Sequence, residues 1–300
     1  MPEMTSSRTY QYRVVDVFTD CPLEGNPLAV FPYALGLDDV TMQNIARELN
    51  LSETVFIFPA ARFGCAARLR IFTPAREMDF AGHPTIGASF VLLEDGIVPK
   101  QSEHFALEEN VGPVSIRVEH GGRPLIWLTT PPIQEGPVLD RVLCAGALGL
   151  APEDLLPAAP QRLSAGNPTV FIAVRDKETV DRAWLDMGGV RKLKGTNPEP
   201  VCVFVFAVTP EGAYSRMFAP EHGVVEDPAT GSSTGPLAAY MLRHNLVSGH
   251  AATRFVSEQG TKMGRRSILH VHIRGERGAD GIEVGGFVTP LVRAVMQWEG

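Results

Sequence analysis

Three side chains capable of acid–base chemistry, Glu53, His83 and Asp227, lie beside features that are typical of a binding cleft. Glu53 falls between a predicted helix that ends near Asn50 and an apolar strand predicted over residues 54–58. A carboxylate at such a junction is either solvated at the end of the strand or partly desolvated in a cleft. Desolvation would raise its pKa toward the range that serves general acid–base catalysis. Position alone favours the solvated alternative.

His83 and Asp227 accompany the starts of two predicted helices. His83 belongs to the sequence GHPT of residues 82–85, and the positive end of a helix dipole disfavours a protonated imidazole there. A neutral imidazole could accept a hydrogen bond from a substrate or donate one to it. Either side chain could instead cap its helix. For each residue taken singly, capping is the favoured explanation.

The sequence GSSTGP of residues 231–236 leads into an apolar run, residues 237–242, that is predicted to be helical, with Pro236 as a helix-start signal. A turn of small residues before a helix presents unpaired backbone N–H groups and the positive end of the dipole. Such a turn can bind a carboxylate or a phosphate. No Gly-Lys-Ser/Thr follows, so the turn is not a P-loop. A capped surface helix is the alternative.

Three short motifs occur twice, in the same order, which indicates a duplicated domain. The offsets between the copies are 141, 146 and 149 residues. Two similar halves with two anion-binding helix starts imply a cleft in which one small ligand touches both. The matches pair residues 25–27 with 166–168 (both GNP), residues 70–74 with 216–220 (RIFTP and RMFAP), and residues 82–85 with 231–234 (GHPT and GSST).

A proline-rich stretch at residues 130–132 marks the predicted boundary between the halves. The first domain is predicted over residues 1–130 and the second over residues 131–287. The last strand, within residues 288–300, is free to return to either domain. Helices are expected over residues 39–50, 82–94, 139–150 and 177–185, and strands over 12–18, 28–31, 54–58, 66–72, 103–108, 114–119, 125–130, 169–174, 201–208, 253–258, 267–273 and 281–287.

Composition excludes several classes of function. The chain has 300 residues, 44% of them hydrophobic, and a net charge of −7, which argues against a nucleic-acid partner. No apolar run approaches the ~18 residues of a membrane span, and the N-terminal sequence lacks a signal-peptide core. The four cysteines show no CxxC spacing, which argues against a zinc site or a disulfide framework. A soluble cytoplasmic protein is expected.

Motifs spread along nearly the whole chain resemble the PhzF-like family of phenazine biosynthesis, which is related in fold to diaminopimelate epimerase. They occur in the family's order. They are DVF at residues 16–18, GNP at 25–27, NLSET at 50–54, FTP at 72–74, FAGHPT at 80–85, EDPATGS at 226–232, EQG at 258–260 and MGR at 263–265.

The resemblance implies an α+β fold of two similar diaminopimelate epimerase-like domains. Each is a mixed or antiparallel sheet wrapped around a central helix, with the active site in the interdomain cleft. It implies a homodimer that needs no cofactor and no metal, and a last strand that crosses back to the first domain. The founding activity is isomerisation of trans-2,3-dihydro-3-hydroxyanthranilate, an amino acid-like carboxylate.

The resemblance also assigns roles within the predicted site. Glu53 occupies the place of the glutamate that moves a proton between carbon positions, so it is expected to be the general acid/base. His83 and Asp227 are expected beside it as catalytic residues. The substrate's carboxylate and other polar groups are expected to meet the two helix starts, through Gly82, Thr85, Gly231, Ser232 and Ser233.

One departure separates this chain from diaminopimelate epimerase, which resembles it but uses a cysteine at each helix start. The matching positions are near Ala81 and Thr230, and neither is cysteine. Cys65 and Cys202 are predicted on strands elsewhere, which argues against a two-thiol racemase. Two alternatives stay open: an amino-acid racemase that uses a carboxylate and a histidine, and a non-catalytic small-molecule binding protein.

Overall fold

The computed structural model describes residues 7–195, 199–248, 253–278 and 281–299. The first and last residues of the predicted domains, Met1 and Gly300, lie outside them. The first half of the chain forms these elements: β1 (Ser7–Val17), β2 (Asn26–Phe31), α1 (Asp39–Leu49), β3 (Glu53–Phe58), β4 (Ala67–Phe72), β5 (Glu77–Met78), α2 (Gly82–Glu94), β6 (His104–Glu109), β7 (Gly112–Glu119) and β8 (Leu125–Thr129).

The second half forms these elements: β9 (Gln134–Val138), α3 (Arg141–Ala147), β10 (Gln161–Ser164), β11 (Thr169–Val174), α4 (Lys177–Arg182), α5 (Met187–Lys194), β12 (Cys202–Thr209), β13 (Gly212–Ala219), β14 (Val224–Asp227), α6 (Gly231–Arg243), β15 (Thr253–Gln259), β16 (Ser267–Ile273), β17 (Ile282–Gly286) and β18 (Val288–Glu299). Short 3-10 turns cover Pro152–Asp154, Pro220–His222, Thr261–Met263 and Glu276–Gly278.

Helix α2 is apolar around its whole circumference, and residues from Gly82 to Leu93 are buried. A helix without a polar face has to be enclosed on all sides. The strands of the first half enclose it, and side chains such as Val17, Leu28 and Leu128 pack with Ile86 in one core. The burial of this helix therefore requires the curved sheet around it.

Helix α6 occupies the same place in the second half, but it begins earlier than the sequence predicts. Its first residue is Gly231, so Pro236 lies inside the helix instead of at its start. Hydrogen bonds from the N–H groups of Ser233 and Thr234 to the carbonyl of Thr230 close the first turn before the proline is reached. Pro236 then removes only one backbone donor from the second turn.

The two halves share one topology. In the first half, β2 pairs in parallel with β3, β3 antiparallel with β4, and β4 in parallel with β6 after the crossover through α2. In the second half, β11, β12, β13 and β15 repeat these pairings, with α6 in the last crossover. Each half is thus a mixed sheet around a central helix, as the α+β prediction states.

Two strand pairings join the halves. Antiparallel pairing of β8 with β17 makes the two sheets continuous. The C-terminal strand β18 pairs antiparallel with β1, from Val288 opposite Val17 to Glu299 opposite Ser7. The last strand therefore lies on the sheet of the first half, whereas the predicted boundary at residue 130 stays a prediction.

Short helices cover the outer faces of the sheets. Met42 and Ile45 of α1 pack on Phe31 and Phe56 of the first half, and α3, α4 and α5 pack on β11 and β12 of the second. Helix α3 is shorter than the predicted span 139–150, because the chain turns at Gly149 with a φ of +67°. Strands β9 and β10 and helix α5 were not predicted from the sequence. Across the described segments, none of the helices has the length and apolar composition that crossing a membrane requires.

Candidate active site

The starts of α2 and α6 meet at the centre of the molecule. A methyl group added to Gly82 would lie 2.6 Å from the carbonyl carbon of Gly231, and one added to Gly231 would lie 3.1 Å from the Cα of Gly82. Only glycine permits backbones to approach this closely. The two glycines therefore allow one ligand to face both helix N-termini.

Backbone donors are available at this junction. In the described part of the chain, the structure shows no acceptor for the N–H groups of Gly82, His83, Gly231 and Ser232. The first N–H groups of a helix have no partner within the helix, and together with its dipole they favour an anion. A carboxylate at this place would receive hydrogen bonds from both halves.

Asn26, the first residue of β2, links the two halves beside the helix starts. Its side-chain nitrogen donates to the Asp227 carboxylate over 2.8 Å and to the Ala229 carbonyl over 3.0 Å. The same nitrogen lies 3.3 Å from Nδ1 of His83. When Asn26 donates to Nδ1, the neutral ring carries its hydrogen on Nε2. Asn26 thus orients two of the predicted catalytic side chains.

Asn167 repeats this arrangement from the other half. Its side-chain nitrogen donates over 3.3 Å to the Phe80 carbonyl and over 3.3 Å to the Ser232 hydroxyl. Phe80 and Ser232 occupy the positions that correspond to Ala229 and His83 in the duplicated sequence. Both asparagines come from the repeated GNP motif. That motif indicated the duplication, but neither asparagine was predicted as a site residue.

Glu53 and His83 face each other across the site. The Oε2 atom of Glu53 and the Nε2 atom of His83 are 3.2 Å apart. Their geometry does not make a hydrogen bond, and both atoms are buried without another partner. Unpaired buried polar atoms are costly, and native proteins retain them mainly where they have a function. The two atoms are placed to bind a polar or reacting group between them.

Burial sets the protonation of this pair. The Glu53 side chain is 16% exposed, and burial, with a smaller contribution from the Asp227 charge, raises its pKa well above the ordinary value. Burial lowers the pKa of His83 to about 3. The neutral imidazole was expected from the helix dipole, and burial of the ring favours it as well. Glu53 therefore holds a proton more tightly than an exposed carboxylate does, beside an uncharged histidine.

Asp227, which comes from the second half, is the second buried carboxylic acid of the site. Burial raises the pKa of Asp227 to about 6, although hydrogen bonds from Thr230 and Asn26 act in the opposite direction. Two neighbouring carboxylic acids with raised pKa values resist losing both protons, since the second ionisation would place like charges together. Proton uptake by one is thus linked to proton release by the other.

Glu53 and Asp227 line a small inner cavity of about 50 Å³. It opens toward an outer cavity of about 500 Å³, and both are lined by Met78, Asn167 and His222. The inner cavity is also lined by Glu53, Thr73, Cys202, Met217, Ala219, Val224, Asp227, Thr230 and Ser232.

Cys202 corrects the expectation that it lies away from the site. The residue begins β12, as the predicted strand requires, but it borders the inner cavity. Burial raises the pKa of its thiol to about 12, so the thiolate is disfavoured. Cys65 does not line this cavity. The inner cavity therefore has one protonated thiol among the described residues, and the argument against a two-thiol racemase does not change.

The predicted substrate-binding residues fall into two groups. Gly82, Gly231 and Ser232 lie at the meeting point of the helices, and Ser232 lines the inner cavity. Thr85 and Ser233 are fully buried. The Thr85 hydroxyl bonds to Ala81 and Glu109, and the Ser233 hydroxyl bonds to Thr169. These two hydroxyls hold the helix starts in place, and substrate binding by them stays a prediction.

Equivalent polar residues lie beneath the two helix starts. Glu109 accepts a hydrogen bond from Thr85, and burial raises the pKa of Glu109 to about 8. Gln259 holds the other helix by accepting from the Thr230 N–H and donating to the Asp227 carbonyl over 2.7 Å. A protonated glutamic acid resembles glutamine in its hydrogen-bonding groups. Sequence reasoning did not identify either residue as part of the site.

A metal site in a protein consists of several ligating side chains close together. Within residues 7–195, 199–248, 253–278 and 281–299, no three His, Cys, Asp or Glu residues form a group that could hold a metal ion. The absence of a metal or cofactor requirement stays a prediction.

The two sheets, each wrapped around a central helix, place this chain in a class of α+β folds that includes the PhzF and proline racemase-like folds. Within this class, the chain belongs to the phenazine biosynthesis-like protein family. The sequence model of that family matches residues 15–292. This match confirms the family that the sequence motifs indicate.

Curated relatives are similar over most of their length. A trans-2,3-dihydro-3-hydroxyanthranilate isomerase of Pseudomonas aeruginosa is 33% identical over 285 residues, covering 92% of this chain and 95% of the relative. An uncharacterized isomerase of Mesorhizobium japonicum is 37% identical over 284 residues, covering 90% and 93%. The names of these relatives agree with the predicted enzyme class, an isomerase.

Solved structures share the fold. A phenazine biosynthesis protein of the PhzF family from Bacillus anthracis superimposes with a TM-score of 0.84 at 24% identity, covering 96% of this chain and 99% of the other. A predicted epimerase from Pseudomonas aeruginosa gives a TM-score of 0.81 at 32% identity, with the same coverage. A hydroxyproline epimerase from Agrobacterium vitis, 16% identical, gives a TM-score of 0.68 over 98% of this chain and 94% of the other, which shows a common fold.

Proposed function

We propose that this protein is an isomerase that moves a proton within a small, amino acid-like carboxylate, with Glu53 as the general acid/base. The observation that carries the proposal is the unpartnered pair of Glu53 and His83, whose facing atoms lie 3.2 Å apart beside the inner cavity. Relatives named as trans-2,3-dihydro-3-hydroxyanthranilate isomerases support this substrate as the first candidate.

In the proposed reaction the substrate carboxylate binds the N–H groups at the starts of α2 and α6. Ionised Glu53 takes a proton from one carbon, the electron pair of that C–H bond moves into the conjugated system, and Glu53 returns a proton to a different carbon. Substrate and product then contain the same atoms, and no electrons are gained or lost. The high pKa of Glu53 makes it a stronger base than an exposed carboxylate.

His83 and Asp227 have supporting roles in this proposal. Neutral His83, with its hydrogen on Nε2, donates to a polar group of the substrate or to the Glu53 carboxylate. Asp227, held by Asn26 and Thr230, accepts a hydrogen bond from a substrate donor such as an amine or a hydroxyl.

A racemase that uses a carboxylate and a histidine is the second candidate, because Glu53 and His83 face each other across the site. Two bases on opposite faces of one carbon would invert its configuration. The two candidates differ in their products, since a racemase changes chirality without moving a double bond.

The proposal is tested by incubating the protein with trans-2,3-dihydro-3-hydroxyanthranilate and following its diene absorbance and chirality. Loss of the diene absorbance by the wild type, and its persistence with Glu53→Gln, is the expected result. Loss of optical activity with the diene intact would favour the racemase. Binding of the compound without any chemical change would favour the non-catalytic alternative.

A further inference from the structure

Arg76 occupies the rim of the site opposite His222. One guanidinium nitrogen of Arg76 lies 3.3 Å from Nδ1 of His222. Because a guanidinium can only donate, Nδ1 accepts and the neutral ring carries its hydrogen on Nε2. The two residues also hold equivalent positions in the duplicated RIFTPAR and RMFAPEH sequences. Each half therefore contributes the same sequence position to the mouth of the site.

Among the described residues that line the two cavities, Arg76 is the one Lys or Arg. The carboxylate next to it in sequence, Glu77, is occupied by a two-pronged ion pair with Arg70, with N–O distances of 2.8 and 2.6 Å. No carboxylate within the described chain lies within ion-pair distance of Arg76. Its charge is therefore available to a ligand.

The loop that carries Arg76 is held in a defined conformation. The Thr73 hydroxyl accepts hydrogen bonds from the N–H groups of Ala75 and Arg76, and the Thr73 N–H donates to the Arg76 carbonyl over 2.9 Å. Gln43 of α1 donates to the carbonyls of Thr73 and Pro74. A turn fixed in this way presents the arginine at low entropic cost.

The inner cavity is small compared with the outer one that contains this arginine. Its volume of about 50 Å³ is about a tenth of the 500 Å³ of the outer cavity. The reacting part of a small organic acid fills that space, and the rest has to pass Met78 and His222 into the outer cavity. There it meets Arg76, whose fork of donors suits a carboxylate or a phosphate.

We propose that Arg76 is a specificity-determining residue that selects substrates with a second anionic group on the part that projects into the outer cavity. This inference rests on the proposed function, because it takes the first carboxylate to lie at the helix starts. The charge of Arg76 offsets the repulsion that a second anionic group would meet from Glu53 and Asp227, the two acidic side chains in the inner cavity.

The test compares two aromatic acids that share one ring. Anthranilate has one carboxylate, and 2-aminoterephthalate has a second carboxylate on the opposite side of the ring. By titration calorimetry, the wild type is expected to bind the diacid about tenfold more tightly. Arg76→Gln should make the two affinities about equal by weakening only the diacid, and higher salt should reduce the wild-type preference.

Arg47→Gln is the matched control, since it removes the same charge from an exposed residue of α1 whose side chain contacts Asn44. It should keep the wild-type preference. Equal wild-type affinities, a preference that survives in Arg76→Gln, equal weakening of both acids by Arg76→Gln, or binding of neither acid would each overturn the inference. Turnover by the wild type but not by Glu53→Gln would still support the proposed function in those cases.

Discussion

Asp227 connects the chemistry of the site with the stability of the fold. Its folded-state pKa of about 6 lies above its ordinary value of 3.8, so the folded protein binds this proton more tightly than the unfolded chain does. The stabilisation from protonated Asp227 is complete below pH ~4 and is lost as the pH rises through about 6. Ionised Asp227 therefore destabilises the folded protein near neutral pH.

Asp227→Asn should remove this dependence, because the amide does not ionise. Relative to the wild type, its free energy of unfolding should increase by about 1–3 kcal/mol between pH 4 and pH 7. Urea unfolding of both proteins at several pH values measures the difference. A difference that stays constant over this range, or decreases as the pH rises, would contradict the raised pKa of Asp227.

Asn26 offers a second prediction at the residue scale. Asn26→Ala leaves the Asp227 carboxylate and the Ala229 carbonyl without a donor that they have in the wild type. Because each buried acceptor that loses its partner costs about 1–3 kcal/mol, the variant should lose about 2–4 kcal/mol of stability, together with turnover. Denaturant unfolding and a steady-state assay measure the two effects.

Asn44→Ala is the control for this variant, since Asn44 is an exposed residue of α1. Its stability should change by less than about 0.5 kcal/mol. If Asn26→Ala behaved like the control, Asn26 would not hold the site together.

Residue types and helix positions identified Glu53, His83 and Asp227 as candidates, but the sequence did not determine how they are buried. Position favoured a solvated Glu53, whereas the structure encloses it opposite His83. The burial depends on contacts between residues far apart in the chain, such as Asn26 with Asp227. Local patterns do not contain such contacts, and for the same reason both GNP asparagines were missed.

At the scale of elements, the site depends on the close approach of the starts of α2 and α6. Gly82→Ala would place a methyl group 2.6 Å from the carbonyl carbon of Gly231 and 2.7 Å from the backbone nitrogen of Ser232. Backbone atoms cannot move aside as a flexible side chain can. We expect a loss of about 1–3 kcal/mol in thermal or urea unfolding, with loss of turnover.

Gly146→Ala provides a matched comparison within a helix. Gly146 lies in α3, and an added methyl group would meet no atom within 4 Å. Alanine should stabilise this helix by about 0.5–1 kcal/mol relative to glycine. Equal effects of the two substitutions would show that the helix starts have more room than the structure indicates.

The elements themselves were largely predictable where their signals are local. Helix α2 matches its predicted span, and α1 begins at the predicted residue 39, with the Asp38 side chain accepting from the Thr41 N–H. Helix α6 was predicted too short because Pro236 was taken as a start signal. Strands β9 and β10 are short and polar, so no local pattern predicts them. Their pairing with each other stabilises both strands.

At the scale of the molecule, an ion pair between Arg265 and Asp16 connects the two halves. Arg265 of the second half donates to the Asp16 carboxylate of the first over 2.7 Å and to the carbonyls of Glu24 and Gly25. Asp16 is completely buried. Arg265→Gln leaves that carboxylate without its cation, so the variant should lose about 3 kcal/mol of stability and the affinity for ligands that touch both halves.

Unfolding measurements and calorimetry with anthranilate report these two effects. The control is Arg47→Gln, because Arg47 is an exposed residue of α1 whose side chain contacts the exposed Asn44. Its effect should stay below about 1 kcal/mol. A loss of similar size in both variants would mean that the pair between the halves has no special role.

The duplication could be inferred from three ordered motifs, and the structure explains why these motifs recur. The two GNP segments supply the paired asparagines, and the two helix starts supply glycines that touch each other. Composition did not determine which domain the last strand, β18, would join, since a strand-like sequence does not reveal its partner. Its pairing with β1 is a contact between the two ends of the chain.

The central claim is that Glu53 transfers the proton, and solvent deuterium tests it most directly. The wild type, Glu53→Gln and Glu48→Gln would each be mixed with trans-2,3-dihydro-3-hydroxyanthranilate in deuterated water, and the product analysed by NMR and mass spectrometry. Glu48 is an exposed glutamate of α1 and serves as the control.

Wild type and Glu48→Gln should form product that carries solvent deuterium at the newly protonated carbon. Glu53→Gln should bind the compound but react about 10²–10⁴-fold more slowly. Labelled product formed by Glu53→Gln at the wild-type rate would contradict the role assigned to Glu53.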